Sequence, residues 1–107
     1  MSITLTGTIP TGGKPVVILQ PNPALGSACP CPLKFKFSAP LAGAYELGFC
    51  IGPAAAANPC GLPSSFVVSV PGGQERLALV DASIFKNNVL VVGQGTNDAI
   101  PFAVTIE

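Results

Sequence analysis

Charge and histidine are scarce in this chain. Five basic and five acidic side chains make up 9% of its 107 residues, against about 25% in an ordinary soluble domain. No Lys/Arg cluster is present, so the chain lacks the phosphate-neutralising surface that nucleic-acid binding requires. The same lack argues against a polybasic membrane-surface segment. We therefore predict neither nucleic acid nor membrane as a partner.

Histidine is absent, which removes the commonest general base and the commonest metal ligand. The carboxylates show no paired spacing, and no glycine-rich phosphate loop is present. The five carboxylates are Glu46, Glu75, Asp81, Asp98 and Glu107. We predict that the protein is not an enzyme and holds no cofactor or metal.

Long apolar runs are also missing. Val16–Leu19 and Val89–Val92 are the size of strands, far below the roughly 20 residues of a membrane span. The first residues have neither the basic nor the apolar region of a secretory signal. The sequence thus predicts a leaderless chain, or one in which Met1 replaces a leader.

Tryptophan is absent and tyrosine occurs once, which argues against an aromatic sugar-binding platform. The polar stretch with Gln94, Asn97 and Asp98 is a weak candidate for a sugar or calcium site, to which Asn87 and Asn88 could add. Such residues are also the ordinary residues of tight turns, and the pattern favours turn chemistry.

Proline and glycine, by contrast, are plentiful at twelve each, and they divide the chain into short alternating segments. This spacing predicts a single antiparallel β-sandwich domain over residues 1–107, either immunoglobulin-like or a jelly roll. The predicted strands are Ser2–Ile9, Val16–Leu19, Leu33–Phe37, Tyr45–Phe49, Phe66–Val70, Glu75–Val80, Val89–Val92 and Ile100–Glu107.

The best hairpin candidate joins the third and fourth predicted strands. A turn at 40–43 would place Phe35 opposite Leu47 and Lys36 opposite Glu46, so that apolar and charged pairs agree in one register.

Three further local expectations follow from the pattern. In the sixth strand, Leu77 and Leu79 are predicted to face the core. Asp81 is predicted to be the N-cap of a single helical turn. Val89–Val92 is apolar on both faces, which indicates a central strand or one covered by a partner.

Four cysteines, Cys29, Cys31, Cys50 and Cys60, leave three interpretations open. Two disulfides suit a small proline-rich β domain, reduced buried thiols suit a chain without a leader, and a four-thiolate zinc site would need unusual spacing. The hairpin register predicts at least one bond from Cys29 or Cys31 to Cys50 or Cys60.

The shortage of charge favours an exterior covered by other protein, since soluble monomers keep a charged surface. We predict a homo-oligomeric structural subunit, with a bacteriophage capsid cement or decoration protein in the virion favoured. A carbohydrate- or surface-binding module and an extracellular filament or coat subunit are the alternatives. The predicted contact surface comprises Thr4, Thr6, Thr8, Val89 and Val92, and the uncharged terminal strands are predicted to extend a neighbour's sheet.

Overall fold

The fold is an eight-stranded β-sandwich, as the sequence predicts, seen in a computed structural model that describes residues 2–21, 32–54, 60, 66–94 and 98–107. One short 3₁₀ helix, Ala82–Lys86, joins the sixth and seventh strands. The strands are β1 (Ile3–Ile9), β2 (Val16–Leu19), β3 (Pro32–Ser38), β4 (Glu46–Pro53), β5 (Phe66–Pro71), β6 (Glu75–Asp81), β7 (Asn88–Gln94) and β8 (Ile100–Ile106).

Two four-stranded antiparallel sheets form the layers. The first sheet has the order β1-β8-β3-β6, and the second has the order β2-β7-β4-β5. Strand β1 pairs with β8, β2 with β7, β3 with β6 and β4 with β5. A long hairpin folded over on itself produces these pairs, so of the two predicted shapes the strand order is that of the jelly roll.

The core lies between the sheets and is built from alternate residues of each strand. Four phenylalanines stack through it: the ring of Phe37 lies 4.8 Å from that of Phe49 and 5.5 Å from that of Phe35, centroid to centroid. Phe35 in turn stacks on Phe85 of the 3₁₀ helix at 5.3 Å. Period-two alternation on both layers is the reason that an inner face could be assigned to several strands from the sequence.

The predicted hairpin between the third and fourth strands is wrong. Strands β3 and β4 belong to different sheets, and the segment between them crosses from one layer to the other. Lys36 lies opposite Leu77 and forms an ion pair with Glu75 at 3.3 Å, rather than one with Glu46. The alternation identified the inner faces correctly, but it cannot tell whether two inner faces are neighbours or opposite each other.

The inward orientation predicted for Leu77 and Leu79 is also wrong. Ala78 and Val80 face the core, while Leu77 and Leu79 point outward and are 63% and 71% exposed. The helical turn after β6 is confirmed: the Asp81 carboxylate accepts a hydrogen bond from the Ser83 N–H at 3.0 Å. This hydrogen bond lowers the pKa of Asp81.

The position of strand β7 in its sheet explains why its sequence is apolar on both faces. It lies between β2 and β4, which makes it a central strand. Val92 is buried in the main core, and Val89 is buried with Val91 and Cys50 in a second cluster on the outer face of the sheet. Val89 and Val92 therefore do not present an exposed contact surface, which corrects their assignment as interface residues.

Candidate functional site

The four edge strands are the chemically distinctive part of this surface. Among the described residues, each sheet has two edge strands whose outer backbone groups have no partner strand: β1 and β6 in the first sheet, β2 and β5 in the second. Unpaired strand edges invite pairing with another chain, which most monomeric proteins prevent with charge or proline. Thr4, Thr6 and Thr8 lie exposed on β1, so the sequence located one true edge.

The other terminal strand is not an edge. Strand β8 is paired on one side with β1 and on the other with β3, so it cannot extend a neighbour's sheet. The prediction that a terminal strand extends a neighbour's sheet is therefore wrong for β8, and for β1, which is an edge, it stays a prediction. Nothing in the sequence of Ile100–Ile106 distinguishes an inner strand from an edge, because both alternate in the same way.

Exposed aliphatic side chains are concentrated on these edges. Within the described residues, the large apolar side chains that remain exposed on strands occur on edge strands and not on the inner strands β3, β4, β7 and β8. They are Ile3 on β1, Val17 on β2, Val67 on β5, and Leu77 and Leu79 on β6. None of these five was identified as a surface residue from the sequence, because their exposure depends on the strand order.

An open cleft separates the β1 and β2 edges. Its volume is about 520 Å³, and Leu5, Val16 and Ile18 line its apolar floor together with the ring of Phe102. Gly7 allows this ring to approach the β1 backbone, since a Cβ atom there would lie 2.7 Å from Cζ of Phe102. On this side, therefore, the two sheets are not closed over each other.

A second concavity, which we call the outer groove, lies on the exposed face of the β2-β7-β4-β5 sheet. Its volume is about 340 Å³. Gly48 pairs with Gly93 and with Ser69 in its floor, where the absence of large side chains leaves a trough. Val67 and the Cys50–Cys60 disulfide border one end, and Glu46 stands at the other.

The cysteines differ from the predicted pairing. Cys50 and Cys60 form a disulfide with each other, with their Cα atoms 5.6 Å apart, so neither is available to Cys29 or Cys31. Cys29 and Cys31 lie outside the described residues. A disulfide also excludes Cys50 and Cys60 from the four-thiolate zinc site and from the reduced state, although the bond itself agrees with the expectation of an oxidised domain.

Removing this disulfide should destabilise the fold. The bond closes a loop with a sequence separation of 10, for which lost chain entropy corresponds to about 2.7 kcal/mol. We expect Cys50→Ala/Cys60→Ala to lose roughly this free energy of unfolding in urea titrations. Wild type in reductant should approach the same value. A variant within about 0.5 kcal/mol of the oxidised wild type would show that the bond adds no stability.

The weak ligand-loop candidates Gln94 and Asp98 lie apart from the two asparagines that could add to them. Asp98 is exposed beside Ile100 near the far end of β7, and Gln94 ends that strand. Asn88 lies at its other end, where its amide donates a hydrogen bond to the Ile84 carbonyl at 2.7 Å. Asn97 lies outside the described residues. Because the length of β7 separates the two groups, Asn87 and Asn88 cannot add to the site.

Acidic and metal-binding groups are equally dispersed. Among the described residues, no group of three or more His, Cys, Asp or Glu side chains could hold a metal ion. Tyr45 donates a hydrogen bond to the Leu41 carbonyl, and burial raises the pKa of its phenol. No helix in the described parts of the chain is long and apolar enough to cross a membrane.

Comparison with known proteins gives one informative likeness. No protein-family profile matches the chain, and no curated protein sequence does. A solved structure described in connection with Bacillus endospore appendages, which form a novel family of disulfide-linked pili, matches with a TM-score of 0.63 and 12% sequence identity. The match covers 99% of this chain and 82% of that chain. At this identity, the likeness is one of fold.

Proposed function

We propose that this chain is a non-enzymatic structural subunit that joins copies of itself, side to side, into an extracellular filament or coat. The carrying observation is the placement of exposed aliphatic side chains on the four edge strands. Leaving these apolar side chains exposed to water costs free energy in proportion to their area. A partner strand would also pair with the open backbone N–H and C=O groups of the edge.

The two sides of the sandwich differ in character. Strands β5 and β6 form one side, which carries Val67, Leu77 and Leu79. Strands β1 and β2 form the other, which contains the cleft lined by threonines as well as apolar side chains. Joining unlike sides is a heterologous contact, and such contacts propagate into rings or filaments rather than closed dimers.

The comparison supports an extracellular assembly in preference to a virion. The structure of similar fold comes from an appendage described as a disulfide-linked pilus, and this chain carries at least one disulfide, which favours an oxidising compartment. Only the composition of the chain supports the hypothesis that it is a bacteriophage cement protein. Incubating the purified chain alone separates the two, because a filament subunit polymerises by itself and a cement protein needs its capsid.

Charge on the β1 edge should weaken assembly. We expect Thr4→Lys/Thr6→Lys to raise the concentration needed for polymers roughly tenfold, because like charges at an edge oppose strand pairing. Ile3 and Leu5 are untouched, so the monomer should keep its circular dichroism spectrum. Light scattering and sedimentation give the polymer fraction, and negative-stain microscopy gives its form.

The matched control places the same two charges one strand inward. Thr105 and Ala103 lie directly opposite Thr4 and Thr6 on β8 and share their outer face, but β8 is not an edge. Ala103→Lys/Thr105→Lys should assemble like wild type. Equal loss in both variants would indicate contact through the face of the sheet, and a wild-type chain that stays monomeric at high concentration would refute self-assembly.

A further inference from the structure

The two sheets differ in how far their edges are open to another strand. Strands β1 and β6, which border the first sheet, are seven residues long, and their pairing with β8 and β3 is regular throughout. Strand β2, at one edge of the second sheet, has four residues and a β-bulge, since its register shifts between Val17 and Leu19. Short strands and bulges protect an edge against pairing, so β2 is a poor site for strand addition.

The β5 edge of the second sheet is interrupted by a proline. The Gly72 N–H donates a hydrogen bond to the Tyr45 carbonyl at 2.8 Å, which fixes the alternation of the β4–β5 ladder. The residues of β5 whose backbone groups point away from β4 are consequently Val67, Ser69 and Pro71. Pro71 has no N–H to donate, and prolines on edge strands oppose pairing. Both edges of the second sheet are therefore protected.

In the first sheet, the free backbone groups belong to residues whose side chains point away from the core. Lys34 and Glu107 exchange two backbone hydrogen bonds, at 3.1 and 2.9 Å, which fixes the alternation of the β3–β8 ladder. The alternation continues across the neighbouring ladders and leaves the N–H and C=O groups of every second edge residue without a described partner. These residues are Thr4, Thr6 and Thr8 on β1, and Glu75, Leu77 and Leu79 on β6.

The two edges of the first sheet match each other in direction and in face. The sheet has four antiparallel strands, so β6 runs opposite to β1. A second copy placed beside the first, with the usual twist between strands, therefore brings its β1 antiparallel to β6. Residues that exchange hydrogen bonds across this joint are outward-facing on both strands, so threonines lie beside Leu77 and Leu79. Leu5 and Ala78, which pack against the core, remain on the inner side.

We infer that β1 of one copy adds to β6 of the next in antiparallel orientation, so that the first sheet continues from copy to copy while the second sheet is interrupted at each joint. The inference rests on the proposed self-assembly and names the two strands that pair. The partner is a second copy of this chain, because each domain presents both halves of the joint on opposite edges. The protected edges of the second sheet meet through side chains alone.

Amide hydrogen exchange on wild-type polymers tests this joint without a substitution. In the monomer the edge-facing N–H groups are open to water and exchange quickly. In polymers the amides of Thr6, Leu77 and Leu79 should exchange roughly 100-fold more slowly, because they are hydrogen-bonded between copies. The amides of Val67 and Ser69 should exchange as they do in the monomer. NMR of polymers dissolved after exchange, under conditions that quench it, gives the rate at each residue.

Two proline substitutions give an independent measurement. Thr6→Pro removes an edge-facing N–H of β1 that has no described partner in the monomer, a position where strands tolerate proline. It should raise the critical concentration for assembly roughly tenfold, because the neighbour's carbonyl is left unpaired. Ser69→Pro makes the same change on β5 and should assemble as wild type does. Circular dichroism checks that both variants fold, and if Thr6→Pro does not, the exchange rates decide.

The outcomes separate this joint from self-assembly itself. If polymers form but any of the Thr6, Leu77 and Leu79 amides stays unprotected, or if Val67 and Ser69 become equally protected, the joint is refuted while self-assembly stands. The same holds if the two folded proline variants assemble equally well. If wild type remains monomeric at high concentration, the proposed function fails and the joint fails with it.

Discussion

Replacing Phe37 by alanine should lower the free energy of unfolding by about 3–5 kcal/mol. Phe37 is fully buried and its ring contacts those of Phe35, Phe49 and Phe66, so both sheets lose packing when it is truncated. Urea titration followed by circular dichroism measures the loss. Phe37→Leu keeps most of the volume and should cost less than half as much.

The matched control is a change on the same strand but on its other face. Lys36→Ala removes an exposed ion pair, which is worth no more than about 1 kcal/mol. If Phe37→Ala were no more costly than Lys36→Ala, the central position of this ring between the two sheets would be wrong.

Removing the two exposed leucines of β6 should have the largest effect on assembly. Burying a leucine contributes about 1.5–3 kcal/mol, so Leu77→Ser/Leu79→Ser should raise the critical concentration at least 100-fold. Both side chains are mostly exposed in the single domain, so the stability of the monomer should change by less than about 0.5 kcal/mol. Sedimentation velocity reports assembly, and thermal unfolding reports the fold.

Leu41 offers the matched substitution. It is another exposed leucine, 48% accessible, but it lies in the loop before β4 and not on an edge strand. Leu41→Ser should leave assembly unchanged. An equal effect at Leu41 would mean that any loss of surface hydrophobicity weakens association, and a double β6 variant that polymerises normally would exclude this edge from the contact.

The sequence is enough to locate the strands, but it does not determine their order within the two sheets. Alternation located all eight strands, and the apolar character of Val89–Val92 correctly indicated a central strand. The alternation could not show which strands pair with each other or in which register. Phe37 and Phe49 lie on the two strands of the predicted hairpin and do share the core, but their rings meet across it from opposite sheets, 4.8 Å apart between centroids. A shared apolar face fits either geometry equally well.

The exposed residues on the edge strands were likewise only partly predictable from the sequence. Thr4, Thr6 and Thr8 were found because β1 lacks charge, and that property is visible in the sequence. Leu77 and Leu79 were assigned to the core because leucine in an alternating strand is usually inward. The inner face of β6 follows from its register with β3, which places Ala78 opposite Phe35 and Val80 opposite Leu33, and this register is visible only in the tertiary structure.

The pairing of β1 with β8 also determines when the subunit becomes able to assemble. Ile3 lies opposite Ile106, so the first strand of this domain finds its partner only after the eighth has been synthesised. Pairings this distant along the chain form slowly, because the entropy of closing the loop is lost before any contact is gained. Until then β1 has no sheet to border, and the cleft beside it does not exist. Under the proposed self-assembly, a domain that is only partly synthesised lacks one of its two contact sides, so polymerisation would wait until the domain has folded.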